Sequence, residues 1–172
     1  MTNLETVFML KKSTIFFLLI TVFYGCDFQS PKIFSEKAVN ESFFDINNKS
    51  VLFKDILNKS NGKKTLINVW ASWCSDCVAG FPNLKEFQKN NPDVNYVFLS
   101  INRSVFSWKK AILKYTIVGD HYFMKNGLNS DFGDFLNSNW TPRYMVLDEE
   151  GKIELFKAKK ITDKRIVEAL KK

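Results

Sequence analysis

What the 172-residue sequence lacks narrows its chemistry, for it has one histidine, His121, and three cysteines, Cys26, Cys74 and Cys77. A single CxxC pair with no second pair beside it does not assemble the four ligands of a structural zinc centre. No apolar run is long enough to cross a bilayer: Ser13 to Tyr24 is almost wholly apolar but holds only twelve residues, where a span needs about 20. Nor is there a sustained basic run, although the formal net charge is +7. Lysine and glutamate are interspersed, and pairs such as Lys159-Lys160 and Lys171-Lys172 fall where solvated faces and chain ends are expected. The charge therefore points to solubility and weak attraction to anionic lipid, with no nucleic acid as partner. There is no internal repeat, and glycine is scarce at seven against seventeen phenylalanines. A chain of this length, 45% hydrophobic, has room for one domain with a sizeable core.

What is present centres on Leu66 to Pro82. An apolar run rich in β-formers ends in Trp70-Ala71-Ser72-Trp73, and Cys74 and Cys77 then open a segment with helical spacing. This pattern predicts strand, short loop and helix, with Cys74 at the helix start. A thiol there meets unpaired backbone N–H groups and the positive end of the helix dipole, so its thiolate is stabilised. Cys77, one turn on, is near enough to close a disulfide yet deeper in the fold. One sulfur attacks and the other resolves. An inert structural disulfide is the bland alternative, but a bridge enclosing two residues gains little loop-closure entropy.

Around this stretch the chain alternates strands and helices. Phe43–Ile46 and Ser50–Phe53 flank Asn47-Asn48-Lys49 as a hairpin; a helical turn near Asp55–Asn58 and a turn at Asn61-Gly62 lead into a strand over Lys64–Trp70. Val78, Phe81, Leu84 and Phe87 predict one buried helix face, with Pro82 as a kink and Asn91-Pro92 as the stop. Val94–Ile101 is a second strand, which makes a right-handed βαβ unit and opens the cysteine loop at the carboxyl edge of the sheet. Phe106, Trp108, Ile112 and Leu113 suggest a helix, Tyr122–Met124 a short strand, and Leu128, Phe132, Phe135 and Leu136 another helix. Arg143–Leu147 and Lys152–Phe156 form a final hairpin, and Thr162 caps a last helix whose inner face is Ile166, Val167 and Leu170. His121 stands alone and reads as a solvated or packed residue.

Trp73-Cys74-Ser75-Asp76-Cys77 followed by Phe81-Pro82, with Trp140-Thr141-Pro142 far downstream, resembles the thioredoxin superfamily, and within it the membrane-tethered TlpA/ResA-type thiol-disulfide oxidoreductases. The resemblance runs from about Phe43 to the C-terminus. It implies an α/β thioredoxin fold: a central mixed sheet flanked by helices, with an N-terminal hairpin and an inserted segment between Ser104 and Asn139. It also implies a cis proline at Pro142 set against the CxxC, a Thr141 backbone that pairs with an extended substrate, and Trp73 and Trp140 as walls of the groove or as core packing. Two positions depart from the family pattern. Asn68 stands where thioredoxins keep a buried aspartate, and Gly80 where TlpA/ResA-type proteins hold a glutamate. Proton acceptance from Cys77 then falls to Asp76 or to water, unless Asp76 is simply a solvated helix-start residue. Beside the Cys74 thiolate the Asp76 charge opposes ionisation and makes the couple more reducing.

The N-terminus carries an address. Lys11-Lys12, the twelve apolar residues and Gly25-Cys26 form a signal sequence whose end resembles a bacterial lipobox, with Cys26 as the lipidated first residue of the mature protein. An ordinary secretory signal or an uncleaved anchor is the alternative, and translation starts at Met1 or Met9. The expected layout is a signal peptide over 1–25, a tether over 26–41 and a thioredoxin-like domain over 42–172. Cleavage before Cys26 leaves 147 residues with a formal charge of +6, since two lysines and Glu5 depart, and only Cys74 and Cys77 stay as thiols. The expected activity is disulfide exchange with protein thiols on the periplasmic side of a bacterial membrane. The expected direction is reduction, fed by a membrane thiol carrier and directed at clients such as apocytochrome, with no cofactor and no metal. The alternatives are an oxidase or isomerase, a copper(I)-binding module in which Cys74 and Cys77 hold the metal with or without His121, and a non-catalytic lipoprotein.

Overall fold

The computed structural model describes residues 30–138 and 140–172. The signal peptide over 1–25 and the lipidation site Cys26 lie outside these residues. Among the described residues no helix is long and apolar enough to cross a membrane.

Helix α1 (Glu36–Val39) is capped by Ser35, whose hydroxyl oxygen accepts from the Ala38 amide at 3.2 Å. It lies inside the stretch expected to be a tether. Phe34 and Ala38 are buried, the Phe34 ring meets Phe53 edge-on at 4.9 Å, and the Ile153 amide donates to the Lys32 carbonyl. The folded unit therefore starts at Pro31, not at residue 42. The aromatic nest is the physical reason, because Phe34 fills it only if the preceding chain is packed.

Strands β1 (Ser42–Asp45) and β2 (Ser50–Leu52) form the expected antiparallel hairpin. Asp45 closes its turn by accepting from the Asn47 and Lys49 amides at 2.8 Å each. Helix α2 (Phe53–Lys59) is longer than the single turn anticipated, since Phe53 and Ile56 anchor it in the core. Strand β3 (Thr65–Trp70) is buried at every position. Full burial of side chains such as Leu66, Ile67 and Val69 stabilises by about 1.5–3 kcal/mol each. Helix α3 (Ser75–Asn90) continues through Pro82, with Cys77, Phe81 and Leu84 buried.

Strand β4 (Asn95–Ser100) pairs in parallel with β3, and helix α4 (Val105–Tyr115) follows, capped by Ser104. On α4 the expected inner face was wrong in part. Trp108 and Ala111 are buried, whereas Phe106 and Leu113 are 77% and 81% exposed. At 3.6 residues per turn these two share a side that Trp108 excludes from the core. Strand β5 (Asp120–Phe123) pairs in parallel with β4 and antiparallel with β1. Helix α5 (Asp131–Leu136) buries Phe132 and Leu136, with Leu128 packed just before it.

Strands β6 (Arg143–Leu147) and β7 (Ile153–Ala158) make the last hairpin, and helix α6 (Lys164–Leu170) ends the chain. Its cap is Asp163, which accepts from the Arg165 amide at 3.0 Å, and not Thr162, which is exposed. Its buried residues are Ile166 and Ala169, with Val167 turned outward. Among the described residues seven strands form one mixed sheet in the order β2-β1-β5-β4-β3-β6-β7. This is the α/β thioredoxin architecture expected, and it puts β3 between β4 and β6, so that the loop leaving β3 meets the loop entering β6.

Candidate active site

The loop Ala71–Trp73 leaves the buried end of β3 and is held from below by Asn102, which is 4% exposed. Asn102 Oδ1 accepts from the Ser72 amide at 2.9 Å and from the Ser100 hydroxyl at 3.0 Å. Its Nδ2 donates to the Ser72 hydroxyl at 2.6 Å and to the Ser107 hydroxyl at 3.1 Å. Two of these four bonds hold Ser72 in the loop, and the other two fix Asn102 to the end of β4 and the first turn of α4. Sequence reasoning missed this anchor; the polar residues Ser100 and Asn102 after an apolar strand were the available signal.

Cys74 is the N-cap of α3, and its Sγ accepts from the Cys77 amide at 3.1 Å. Its carbonyl accepts the first helical bond, from Val78, at 3.1 Å. The two sulfurs form a disulfide with their Cα atoms 5.3 Å apart. Cys74 is 8% exposed and Cys77 1%, so the second sulfur is the deeper one. Across the site the Thr141 carbonyl oxygen lies 3.6 Å from Cys74 Sγ, and the Thr141–Pro142 bond is cis. Residues 67 positions apart thus meet because β3 and β6 are antiparallel neighbours.

A groove of about 400 Å³ opens beside the pair, lined on one side by Asp76, Ala79 and Gly80 and on the other by Trp140, Thr141 and Pro142. Trp140 is 46% exposed and walls this groove, with the Lys159 ammonium 3.4 Å over its ring centroid. Trp73 is 54% exposed, so it is not core packing either, but it stands outside this groove's lining. Asp76 is exposed in the first turn of α3.

Behind Cys77 no carboxylate takes the place of the two missing family acids: the buried polar residues among those described include neither Asp nor Glu. Asn68 is buried opposite Tyr144 in the β3–β6 register, and its Oδ1 has no hydrogen-bond partner among the described residues. Tyr144 lines the groove. Burial pushes its hydroxyl up to about 12, with the Asn68 amide pulling weakly the other way. Tyr144 was not expected at the site, since in sequence it is one more aromatic in a strand.

His121 is not brought to the cysteines. It stacks on Phe98 with centroids 4.9 Å apart, and its Nε2 lies 3.0 Å from the Ile117 carbonyl oxygen. Among the described residues no three His, Cys, Asp or Glu side chains group as a metal site. The copper reading that joined His121 to Cys74 and Cys77 therefore loses its third ligand.

The pattern of the Redoxin family matches residues 50–170 of the chain. The chain is 29% identical over 121 residues to the thioredoxin-like protein YneN of Bacillus subtilis, covering 68% of this chain and 69% of that one. It is 34% identical over 65 residues to a thiol:disulfide interchange protein TxlA homolog of Synechocystis, a match that spans 37% of this chain and 35% of that protein. Among solved structures it resembles a protein from Bacteroides vulgatus described as a thiol-disulfide oxidoreductase, with 30% identity and a TM-score of 0.65 over 79% of this chain and 87% of the other.

Proposed function

The chain belongs to the Redoxin family and is a thioredoxin-like thiol-disulfide oxidoreductase, and from that premise we propose that it reduces protein disulfides outside the cytoplasm. The observation that carries the assignment of roles is the asymmetry of the pair. Cys74 caps a helix, accepts the Cys77 amide and keeps 8% of its surface open, while Cys77 keeps 1%. In the dithiol form the Cys74 thiolate attacks one sulfur of a client disulfide, forming a mixed disulfide and releasing the client's other thiol. Cys77 then attacks Cys74 Sγ, the mixed disulfide breaks, and the second client thiol leaves as the Cys74–Cys77 disulfide closes. Two electrons pass to the client, and the two cysteine protons go to the two client thiolates directly or through solvent.

The groove lined by Trp140, Thr141 and Pro142 has room for an extended client segment. The reducing direction is supported by Asp76, whose charge opposes the Cys74 thiolate of the reduced form and so favours the disulfide. Export and lipid anchoring at Cys26, periplasmic location, a membrane thiol carrier as electron donor and clients such as apocytochrome complete the reading, supported by Lys11-Lys12, the short apolar stretch and Gly25-Cys26.

The test is a non-reducing gel of cell envelopes. Cys77→Ala leaves the mixed disulfide without its resolving thiol, so covalent client complexes accumulate; Cys74→Ala accumulates none. Trapped clients that are thiol-bearing apoproteins awaiting a cofactor support reduction, and newly exported reduced proteins point to oxidation. Acyl-free mass spectra of the mature N-terminus would remove the lipid anchor.

A further inference from the structure

A second cleft lies on the far side of Trp140 from the groove at the cysteines. It measures about 410 Å³ and shares Trp140, Lys159 and Lys160 with that groove, so the two are continuous around the Trp140–Lys159 stack. Its charge is one-sided. Arg143, Lys157, Lys159, Lys160 and Arg165 face it, against the single carboxylate of Asp163, which is already forked onto Arg165 at 2.6 and 3.0 Å. Surface lysines alone are ordinary in a chain of net charge +7. Arg143 is not ordinary.

Arg143 follows Pro142 directly, is 4% exposed, and lines the cleft. Its guanidinium donates one bond, from Nη2 to the Leu136 carbonyl at 3.2 Å, and lies 5.2 Å over the Phe156 ring. Its Nη1 has no partner among the described residues, and no carboxylate there pairs with it. Burial lowers its pKa, the mark of a cation held without compensation. A buried guanidinium with no counter-charge is costly, and an anion entering the cleft offsets that cost while meeting three lysines.

We propose that this cleft is a subsite for an acidic side chain of the client polypeptide, so that the protein selects disulfides flanked by Asp or Glu. The inference rests on the disulfide-exchange reading of Cys74 and Cys77. A client segment laid along Thr141 passes Trp140 and brings a nearby residue over the cleft. Its carboxylate gains from a field of one sign held close to low-dielectric protein, which speeds encounter as well as binding.

The experiment uses two sets of short peptides carrying Glu or Gln at successive positions on either side of one cysteine. In the first, pre-reduced protein reacts in single turnover with the peptide disulfides. In the second, Ser replaces the cysteine and equilibrium binding alone is measured. We expect at least one Glu position to react and bind about fivefold better than its Gln counterpart, a margin that shrinks with added salt. Lys157→Glu combined with Lys160→Glu should abolish or invert that ratio. Lys49→Glu, in the β1–β2 turn at the opposite edge of the sheet, carries a charge reversal of the same sign and should leave it unchanged. Equal rates and affinities for Glu and Gln at every position overturn the subsite, as does an equal loss with Lys49→Glu. Glu-selective binding without exchange of any peptide keeps the subsite and defeats the oxidoreductase roles instead.

Discussion

The hydroxyl oxygen of Tyr144 lies 3.8 Å from the position a β-carbon on Gly80 would occupy, with no backbone in the way. Gly80 sits inside α3 with room for a side chain, so its lack of one costs helix stability without relieving a clash. Gly80→Ala should therefore raise stability by about 0.5–1 kcal/mol, read as a higher denaturation midpoint. Gly133 is the opposite case, because a β-carbon there collides with the Leu128 backbone. Gly133→Ala should lower the midpoint, and equal effects at the two glycines would contradict this geometry.

The thiols should differ in acidity. Cys74 Sγ accepts an amide bond at the helix start, so in the reduced protein it should titrate below the free-thiol value of about 8.5, and Cys77 above Cys74. Alkylation rate against pH in the two single-cysteine variants measures both. Equal reactivity would overturn the division into attacking and resolving sulfur.

Asn102→Ala removes four hydrogen bonds at once and leaves the Ser72 amide unsatisfied below the cysteine loop. The expected loss is about 2–4 kcal/mol, together with faster amide exchange at Ser72 and Trp73. Unchanged exchange in that loop would mean the anchor lies elsewhere.

His121 gives the fold a pH dependence. Burial holds its pKa below the ordinary 6.5, outweighing the Ile117 bond and the Asp120 charge. With Nε2–H donating to Ile117, protonation would place a proton on Nδ1, which has no acceptor among the described residues. The unfolded chain then binds a proton more readily than the folded one, so this share of stability is full above about pH 6.5 and is lost as pH falls through the lower folded value. Thermal midpoints of wild type and His121→Phe should converge or cross on acidification below pH 6.5. A constant difference between them would refute the linkage.

The cap of α6 separates two neighbouring residues. Asp163→Ala should cost about 1 kcal/mol through the lost Arg165 amide bond, while Thr162→Ala, at an exposed site, should cost little. Paired denaturation curves decide between them.

The sequence by itself determined what depends on local spacing and backbone chemistry. Apolar runs rich in β-formers placed β3 and β4, and period-3.6 patterning placed α3. The Asn47-Asn48-Lys49 turn placed the first hairpin, and the two-residue gap between Cys74 and Cys77 made a redox pair at a helix start. These depend on neighbours in the chain, and tertiary packing reinforced them. Only the tertiary structure decided which of several equivalent residues face one another across the sheet. Asn102 reaches Ser72 because β4 and β3 run parallel and end together, and Tyr144 backs Gly80 because β6 pairs with β3 under α3. Phe34 is core rather than tether, and Phe106 surface rather than core, because the aromatic nest and Trp108 had already filled the available volume. Arg143 is buried, with no carboxylate among the described residues paired to it, because it opens β6 inside the sheet between β3 and β7, a consequence of strand order that no local pattern of charge encodes.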